Sequence, residues 1–285
     1  MHTLTQLREL LESRSLAPRK SLGQNFLIDA NLAAKLLDAS SASNGDLVLE
    51  VGPGAGALTE DLLARGCTVI ACELDRGMCE LLTDRFPEAL ASNQLTLIND
   101  DCLATKRALS PKLLDALASR PFRLVANLPY QAASPLMAIL ASDHHPAAAT
   151  PPLPPCLGQY VTIQKEVADR LLSQPNTKSF GPLTVIVRAF ASITRIATLP
   201  PECFWPRPEV TSAMISITPL PTPVTSNPAA LSRLCHLVFT QRRKKLSSIL
   251  KPPPPHGWPE GVSPDSRAEQ LDIPQLAALA DSLAE

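Results

Sequence analysis

Across residues 1–40 the apolar positions repeat at helical spacing. Leu4, Leu7, Leu10 and Leu11 fall on one face, and "DANLAAKLLDAS" reads as a capped helix rich in alanine and leucine. Between these pieces lies a loop, "PRKSLGQNFL". From Asp46 the pattern changes to short β-rich runs alternating with helical ones: "DLVLEVG", "ALTEDLLARG", "TVIACELD", "RGMCELLTDRF", "LTLIND", "PKLLDALASR" and "FRLVANLP". That βαβ rhythm predicts an α/β fold with a mostly parallel, doubly wound sheet.

The strand pattern continues through "QYVTIQKEV" and then "LTVIVRAFASITRIATL", which is long enough for one strand or for two joined by a bend. "VTSAMISITPL" is expected to close the sheet. "DHHPAAATPPLPPCLG" is too poor in large apolar groups to pack and predicts an exposed loop. After Ile217, "TPLPTPVTSNP" reads as a linker. It divides a larger domain at 1–217 from a small all-helical one at 218–285. The second contains two helical stretches, "AALSRLCHLVFTQRRKKLSSIL" and "RAEQLDIPQLAALADSLAE", separated by "KPPPPHGWPEGVSPD".

Charge is nearly balanced, with 26 basic against 27 acidic residues, so a nucleic-acid partner would have to be held by a local patch. The seven cysteines are odd in number, scattered and without metal-site spacing. They argue against a disulfide framework or a structural metal, and for a reducing cytoplasm. The start of the chain lacks a signal-peptide apolar run, and no 18-residue apolar stretch occurs, so a soluble protein away from membranes is expected. No candidate dimer seam stands out, and a monomer is the default expectation.

Gly52, Gly54 and Gly56 follow the first strand of the alternation and precede a helix. Glycine there lets the backbone turn tightly and approach a ligand at the positive helix end. The turn alone suits a dinucleotide, S-adenosylmethionine or a purely structural bend. Glu50 just before it would sit badly beside a pyrophosphate and well beside a sulfonium or amino group, and the spacing departs from the dinucleotide fingerprint. Glu73 ends the second strand, where a carboxylate accepts from ribose hydroxyls, with Leu74 beside it. Asp101, followed by Cys102, ends the third and is placed to accept the adenine amino group, although Asp100 competes for that assignment.

"NLPY", Asn127-Leu128-Pro129-Tyr130, ends the next strand on the edge where open α/β sheets bind ligands. An amide, a free carbonyl and an aromatic suit alkylation of an exocyclic amino group on a base. The Asn127 oxygen and the Leu128 carbonyl would accept its two N–H groups and steady positive charge developing on nitrogen. Pro129 stiffens the turn, and Tyr130 offers a stacking face for a base that is single-stranded or flipped out.

"NLPY" together with "EVGPGAGALT" resembles the adenine-N6 methyltransferases of ribosomal RNA. "KSLGQNFLID" resembles that family's amino-terminal signature, which implies that Gln24, Asn25 and Leu27 lie at the cofactor. "TIQKEVADRL" and "FGPLTVIVRAF" resemble the segments after the catalytic strand. "PPECFWPRPEVTSAMI" resembles a stretch that supplies a second aromatic against the base, here Phe204. "FTQRRKKLSSIL" resembles the carboxy-terminal signature of the small-subunit dimethyladenosine transferases.

The resemblance implies a Rossmann-like S-adenosylmethionine-dependent sheet and dimethylation of two adjacent adenosines in the 3'-terminal hairpin loop of small-subunit ribosomal RNA, within a pre-30S particle. Antibiotic-resistance methyltransferases of large-subunit RNA and a non-catalytic assembly factor are the competing readings. Arg242, Arg243, Lys244 and Lys245, with Arg19 and Lys20 flanking the amino-terminal loop, form the candidate phosphate-binding patch. Departures from the family pattern are Ala126, Gln131-Ala132, Lys245, Ser248 and the proline-rich insertion.

Overall fold

The computed structural model describes residues 3–146 and 153–284. Helix α1 (Leu4–Glu12) is capped by Thr3, whose hydroxyl accepts from the Gln6 N–H while the Gln6 side chain reaches back. A short strand β1 (Phe26–Leu27) and helix α2 (Ala30–Ser40), capped by Asp29, follow. Then come β2 (Leu47–Val51), α3 (Ala57–Ala64), β3 (Thr68–Glu73), α4 (Arg76–Arg85), α5 (Pro87–Ala91) and β4 (Leu95–Asn99). A hairpin, β5 (Leu103–Thr105) with β6 (Ala108–Leu109), precedes α6 (Pro111–Leu117), β7 (Phe122–Asn127) and α7 (Tyr130–Ser142). The remainder is β8 (Cys156–Gln164), α8 (Lys165–Leu171), α9 (Pro182–Arg188), β9 (Ala191–Leu199), β10 (Phe204–Trp205), β11 (Ser212–Pro219), α10 (Pro228–Thr240), α11 (Leu246–Ile249) and α12 (Ile273–Ser282).

Seven strands form one sheet in the order β4-β3-β2-β7-β8-β11-β9. Its first five are parallel, whereas β11 runs antiparallel to both neighbours. The strand order reverses between β2 and β7, and the carboxyl ends of those two strands therefore flank the crevice where open α/β sheets take ligands. Every residue of β2 is buried, as a strand covered on both faces requires.

Three expectations need correction. The segment "LTVIVR" is helix α9, not strand: Pro182 starts it, and burial of Thr184, Val185 and Val187 between α7 and α10 outweighs the β preference of its branched residues. The segment "VTSAMISITPL" does not close the sheet at its edge, because β11 inserts between β8 and β9 and leaves β9 outermost. The stretch "DHHPAAATPPLPPCLG" is not simply an exposed loop. His144 and His145 are buried, His144 Nδ1 lies 2.7 Å from the Pro154 carbonyl, and its ring meets Phe122 edge-on. Residues 147–152 of that stretch lie outside the described residues.

Helices α10 and α12 rest on α9, and Leu231, Leu234, Val238, Leu276 and Leu279 belong to the same continuous core as Leu124 and Phe122 of the sheet. The basic stretch does not lie on one helix. Helix α10 ends at Thr240, Gln241–Lys245 forms a turn, and α11 begins at Leu246. Among the described residues no helix is long and apolar enough to cross a membrane.

Candidate active site

A cavity of about 350 Å³ opens at the carboxyl ends of β2, β3 and β7. It is lined by Gln24, Asn25 and Leu27 from the amino-terminal loop, by Glu50 and the glycine turn, by Glu73, Leu74, Asp100, Asp101 and Cys102, and by Asn127–Tyr130 and Phe204. The structure thus gathers around one space the residues singled out for the cofactor and the base, except Gly56, which sits at the N-cap of α3 and does not line the cavity. Of those singled out for RNA phosphates, Arg19, Arg242, Arg243, Lys244 and Lys245 do not line it.

The glycine turn has a distinct steric reason at two of its positions. A Cβ on Gly54 would lie 2.7 Å from Phe26 Cε1, and one on Gly52 would lie 3.0 Å from Pro129 Cγ. Both residues also have positive φ. The turn is therefore clasped on one side by the amino-terminal loop and on the other by the "NLPY" segment.

Its electrostatics follow from burial. Glu50, 2% exposed at the end of β2, has its carboxyl pushed up to about 8, chiefly because burial penalises the anion. The Thr59 hydroxyl donates to Glu50 Oε2 at 2.7 Å and opposes that rise, while the Glu73 charge adds to it. Burial also raises Glu73, against backbone N–H groups that donate to it from Asp75 (Oε1, 2.9 Å) and Gly54 (Oε2, 3.1 Å). Asp101 Oδ1 accepts from the Leu103 N–H at 2.9 Å, and Asp100 pairs with Lys112 at 3.3 Å. Burial pushes the Cys102 thiol up to about 12, so it lines the space as an apolar group.

At the other end, the Asn127 amide nitrogen donates to the Asn25 carbonyl at 2.8 Å. Since only the NH₂ side of an amide can donate, this bond fixes which way the side chain faces and leaves Oδ1 as the acceptor. Leu128 donates its N–H to the Thr162 carbonyl at 3.1 Å. Among the described residues no donor meets the Leu128 carbonyl. Two acceptors at the start of α7 are therefore available to a two-proton donor. Tyr130 opens that helix, and Phe204 lies in β10. Phe204 is 4% exposed and packs with Leu27, Leu199 and Met214 while it also borders the cavity, so it is at once a core residue and part of the wall.

The two-residue strands β1 and β10 pair with each other, Phe26 opposite Trp205 and Leu27 opposite Phe204. Phe26 stacks on Trp205 at 6.4 Å, and the Ile28 N–H donates to the Cys203 carbonyl. Helix α1 adds Leu7 to the cavity wall and packs its apolar face on Ala55, Met78 and Leu81.

Sequence reasoning missed Phe26, Thr59, Asp75 and Lys106. Asp75 had a readable signal, an aspartate directly before the helical run "RGMCELL", and it caps α4 by accepting from Gly77 N–H. Thr59 carried none, because its link to Glu50 exists only once α3 folds back over β2.

Among the basic residues, Arg242 is committed to the fold. Its Nε pairs with Glu269, and its two terminal nitrogens donate to the Lys178 and Thr177 carbonyls at 2.7 Å each. Lys245 pairs with Asp265 at 3.0 Å, and Lys244 donates to Gln241 at 3.0 Å. Arg243 is exposed in the same turn. Arg19 Nε lies 3.4 Å from Asp75 Oδ2. The side chain of Lys20 lies outside the described residues.

Residues 16–285 match the family model described as ribosomal RNA adenine dimethylase. A ribosomal RNA small subunit methyltransferase A of Ruegeria pomeroyi is 39% identical over 99% of this chain and 98% of its own length. One from Magnetococcus marinus is 37% identical over 97% and 96%. Among solved structures, a dimethyladenosine transferase from Plasmodium falciparum superposes with a TM-score of 0.68 at 24% identity, covering 88% of this chain and 94% of that one. The 23S rRNA methyltransferase ErmE superposes with a TM-score of 0.62 at 21% identity, covering 92% and all of that chain. These two likenesses establish the Rossmann-like methyltransferase fold, and the full-length match in sequence establishes more: the chain belongs to the ribosomal RNA adenine dimethylase family.

Proposed function

We propose that this enzyme uses S-adenosylmethionine to dimethylate N6 of two adjacent adenosines in the 3'-terminal hairpin loop of small-subunit ribosomal RNA, acting in the cytoplasm as a monomer on a pre-30S particle during subunit biogenesis. The observation that carries the chemical reading is the fixed Asn127 amide, whose oxygen faces away from its Asn25 anchor. Full-length likeness to small-subunit methyltransferases supports this substrate over the large-subunit one.

The charged lining of the cavity fits the cofactor. Four carboxylates, those of Glu50, Glu73, Asp100 and Asp101, stand against one lysine, Lys106. Such a set repels a pyrophosphate and accepts a sulfonium, an α-ammonium and sugar hydroxyls. Glu73 would hold the ribose, Asp101 the adenine amino group, and Glu50 with Gln24 and Asn25 the methionine end. When bound, the sulfonium supplies a methyl group on a good leaving group.

This chain supplies positioning and charge stabilisation. Asn127 Oδ1 and the Leu128 carbonyl accept the two N6–H bonds, which turns the nitrogen lone pair out of conjugation and toward the donor. As the N–C bond forms, positive charge grows on N6, and both acceptors strengthen their hold. The proton then passes to water, so no general base is required. Tyr130 and Phe204 bound the space where the base stacks, worth about 1 to 3 kcal/mol per base. Arg243 and Lys244 are proposed to meet RNA phosphates.

The test is transfer of labelled methyl to undermethylated small subunits, with nucleoside analysis and an Asn127→Ala control. N6,N6-dimethyladenosine in small-subunit RNA, abolished in the control, is the expected result. Label confined to large-subunit RNA would overturn the substrate assignment. Cofactor binding without any RNA labelling would leave an assembly factor.

A further inference from the structure

Arg19, Gln24 and Asp75 form a network of which the reaction as described uses only Gln24. Asp75 is 2% exposed, yet its carboxylate serves two elements at once. Oδ1 accepts from Gly77 N–H at 2.9 Å and caps α4, while Oδ2 accepts from Gln24 Nε2 at 3.0 Å and lies 3.4 Å from Arg19 Nε. Gln24 Oε1 in turn accepts from the Arg19 N–H at 2.8 Å. The backbone N–H of Asp75 donates to Glu73, whose other oxygen accepts from Gly54.

The next residue after Gln24 holds the other end. Asn25 offers its carbonyl to the Asn127 amide. The dipeptide Gln24-Asn25 thus links two walls of the cavity, its first side chain tied to the Asp75 carboxylate at the β3–α4 corner and its second carbonyl tied to the Asn127 side chain.

We propose that Asp75 is a positioning residue for methyl transfer: by latching Arg19 and Gln24 it docks the amino-terminal loop, and the docked loop holds the Asn127 amide in its productive orientation. The proposal rests on the role given to Asn127 under the proposed function. With the latch released, the Asn25 carbonyl moves off, the Asn127 amide is free to rotate, and its NH₂ turns toward an amino group it can only repel. Arg19 acts here as part of the latch rather than as a phosphate contact.

The chain provides its own reporter. It has two tryptophans, Trp205 and Trp258. Trp205 is stacked on Phe26 of the loop, with the Arg8 guanidinium 5.3 Å from its ring centre. In a Trp258→Phe background, emission therefore reports loop docking without RNA or turnover. Asp75→Ser separates the two jobs of the carboxylate, since serine still caps a helix but is too short to reach Gln24 and Arg19.

With the latch as proposed, Asp75→Ser shifts Trp205 emission to the red before any ligand is added. It weakens binding of S-adenosylhomocysteine about tenfold and lowers kcat about tenfold, the scale of a lost hydrogen bond to a charged group, with KM for RNA unchanged. Arg19→Ala, at an exposed side chain, moves the same readouts in the same direction and decides the matter if Asp75→Ser melts early. Wild-type emission and kcat in both variants would overturn the proposal. So would a rise in KM for RNA alone in Arg19→Ala, which would make that residue a phosphate contact. If the wild type methylates no small-subunit RNA, the substrate reading fails by itself, while emission and S-adenosylhomocysteine affinity still judge the latch.

Discussion

The side chain of Asn127 and the backbone carbonyl of Asn25, 102 residues apart in sequence, are joined by a 2.8 Å hydrogen bond in the wall of the cavity. One bond ties β7 to the amino-terminal loop and occupies the nitrogen end of the amide, leaving its oxygen as an acceptor. Asn127→Asp keeps size and shape but sets a carboxylate oxygen against the Asn25 carbonyl. It is expected to lower kcat by about 10²–10³, the scale of losing one preorganised charge-stabilising contact. Single-turnover methylation under saturating cofactor measures this, and Asn127→Ala should fall at least as far.

Gly54→Ala tests the clasp on the glycine turn. Its new methyl would lie 2.7 Å from Phe26 Cε1, at a φ of +56° that non-glycine residues rarely hold. The backbone strain costs about 1–2 kcal/mol, and the collision drives Phe26 away from the cavity. Weaker cofactor binding with a lower melting temperature is expected. Adding Phe26→Leu should recover part of the affinity but not the backbone strain. Calorimetric titration of the single and double variants separates the two contributions.

Glu50 predicts a pH dependence of defined sign. In the free protein its carboxyl lies at about 8 rather than the ordinary 4.5. A raised carboxylate favours the protonated folded form, so its contribution to stability is fully present below pH 4.5 and is lost as pH rises through about 8. Binding of a cationic ligand reverses the preference by favouring the anion. Cofactor affinity should therefore climb toward pH 8, by at most about tenfold per unit, and level off above it. Affinity measured across that range in buffers of different ionisation enthalpy would show proton release on binding, and Glu50→Gln should flatten both curves.

The parts of the fold written in local sequence were legible, and those set by tertiary burial were not. Alternating patterns and the glycine turn placed β2, β3, β4 and β7, and they put the crevice beside Asn127 because each signal is carried by adjacent residues. Helix α9 was not legible, since Val185 and Val187 favour strands and only burial against α7 and α10 makes them helical. The insertion of β11 between β8 and β9 is a pairing choice that periodicity does not encode. In the site, Glu50 and Glu73 were readable as carboxylates at strand ends. The Asn25 carbonyl was not, because a main-chain atom carries no residue signature and its role arises only when β1 pairs with β10. The uninterrupted basic run around Arg242 concealed Glu269 and Asp265, which fold brings against it from further along the chain.

That concealed pairing separates two kinds of basic residue by experiment. Arg242 pairs with Glu269 and donates to the carbonyls of Thr177 and Lys178, so it clamps the turn after α10 to the segment before α9. Arg242→Ala should destabilise the fold by about 1–3 kcal/mol, because it removes charge-assisted hydrogen bonds and leaves the carbonyls and Glu269 to find new partners. Any loss of RNA affinity should then follow the unfolded fraction. Arg243→Ala and Lys244→Ala should leave the melting temperature nearly unchanged. If those side chains meet phosphates, each substitution weakens RNA binding and reduces the slope of log affinity against log salt by about one. Chemical denaturation beside salt-dependent binding checks both halves. An Arg242→Ala protein of wild-type stability with a reduced salt slope would return Arg242 to the phosphate-binding set.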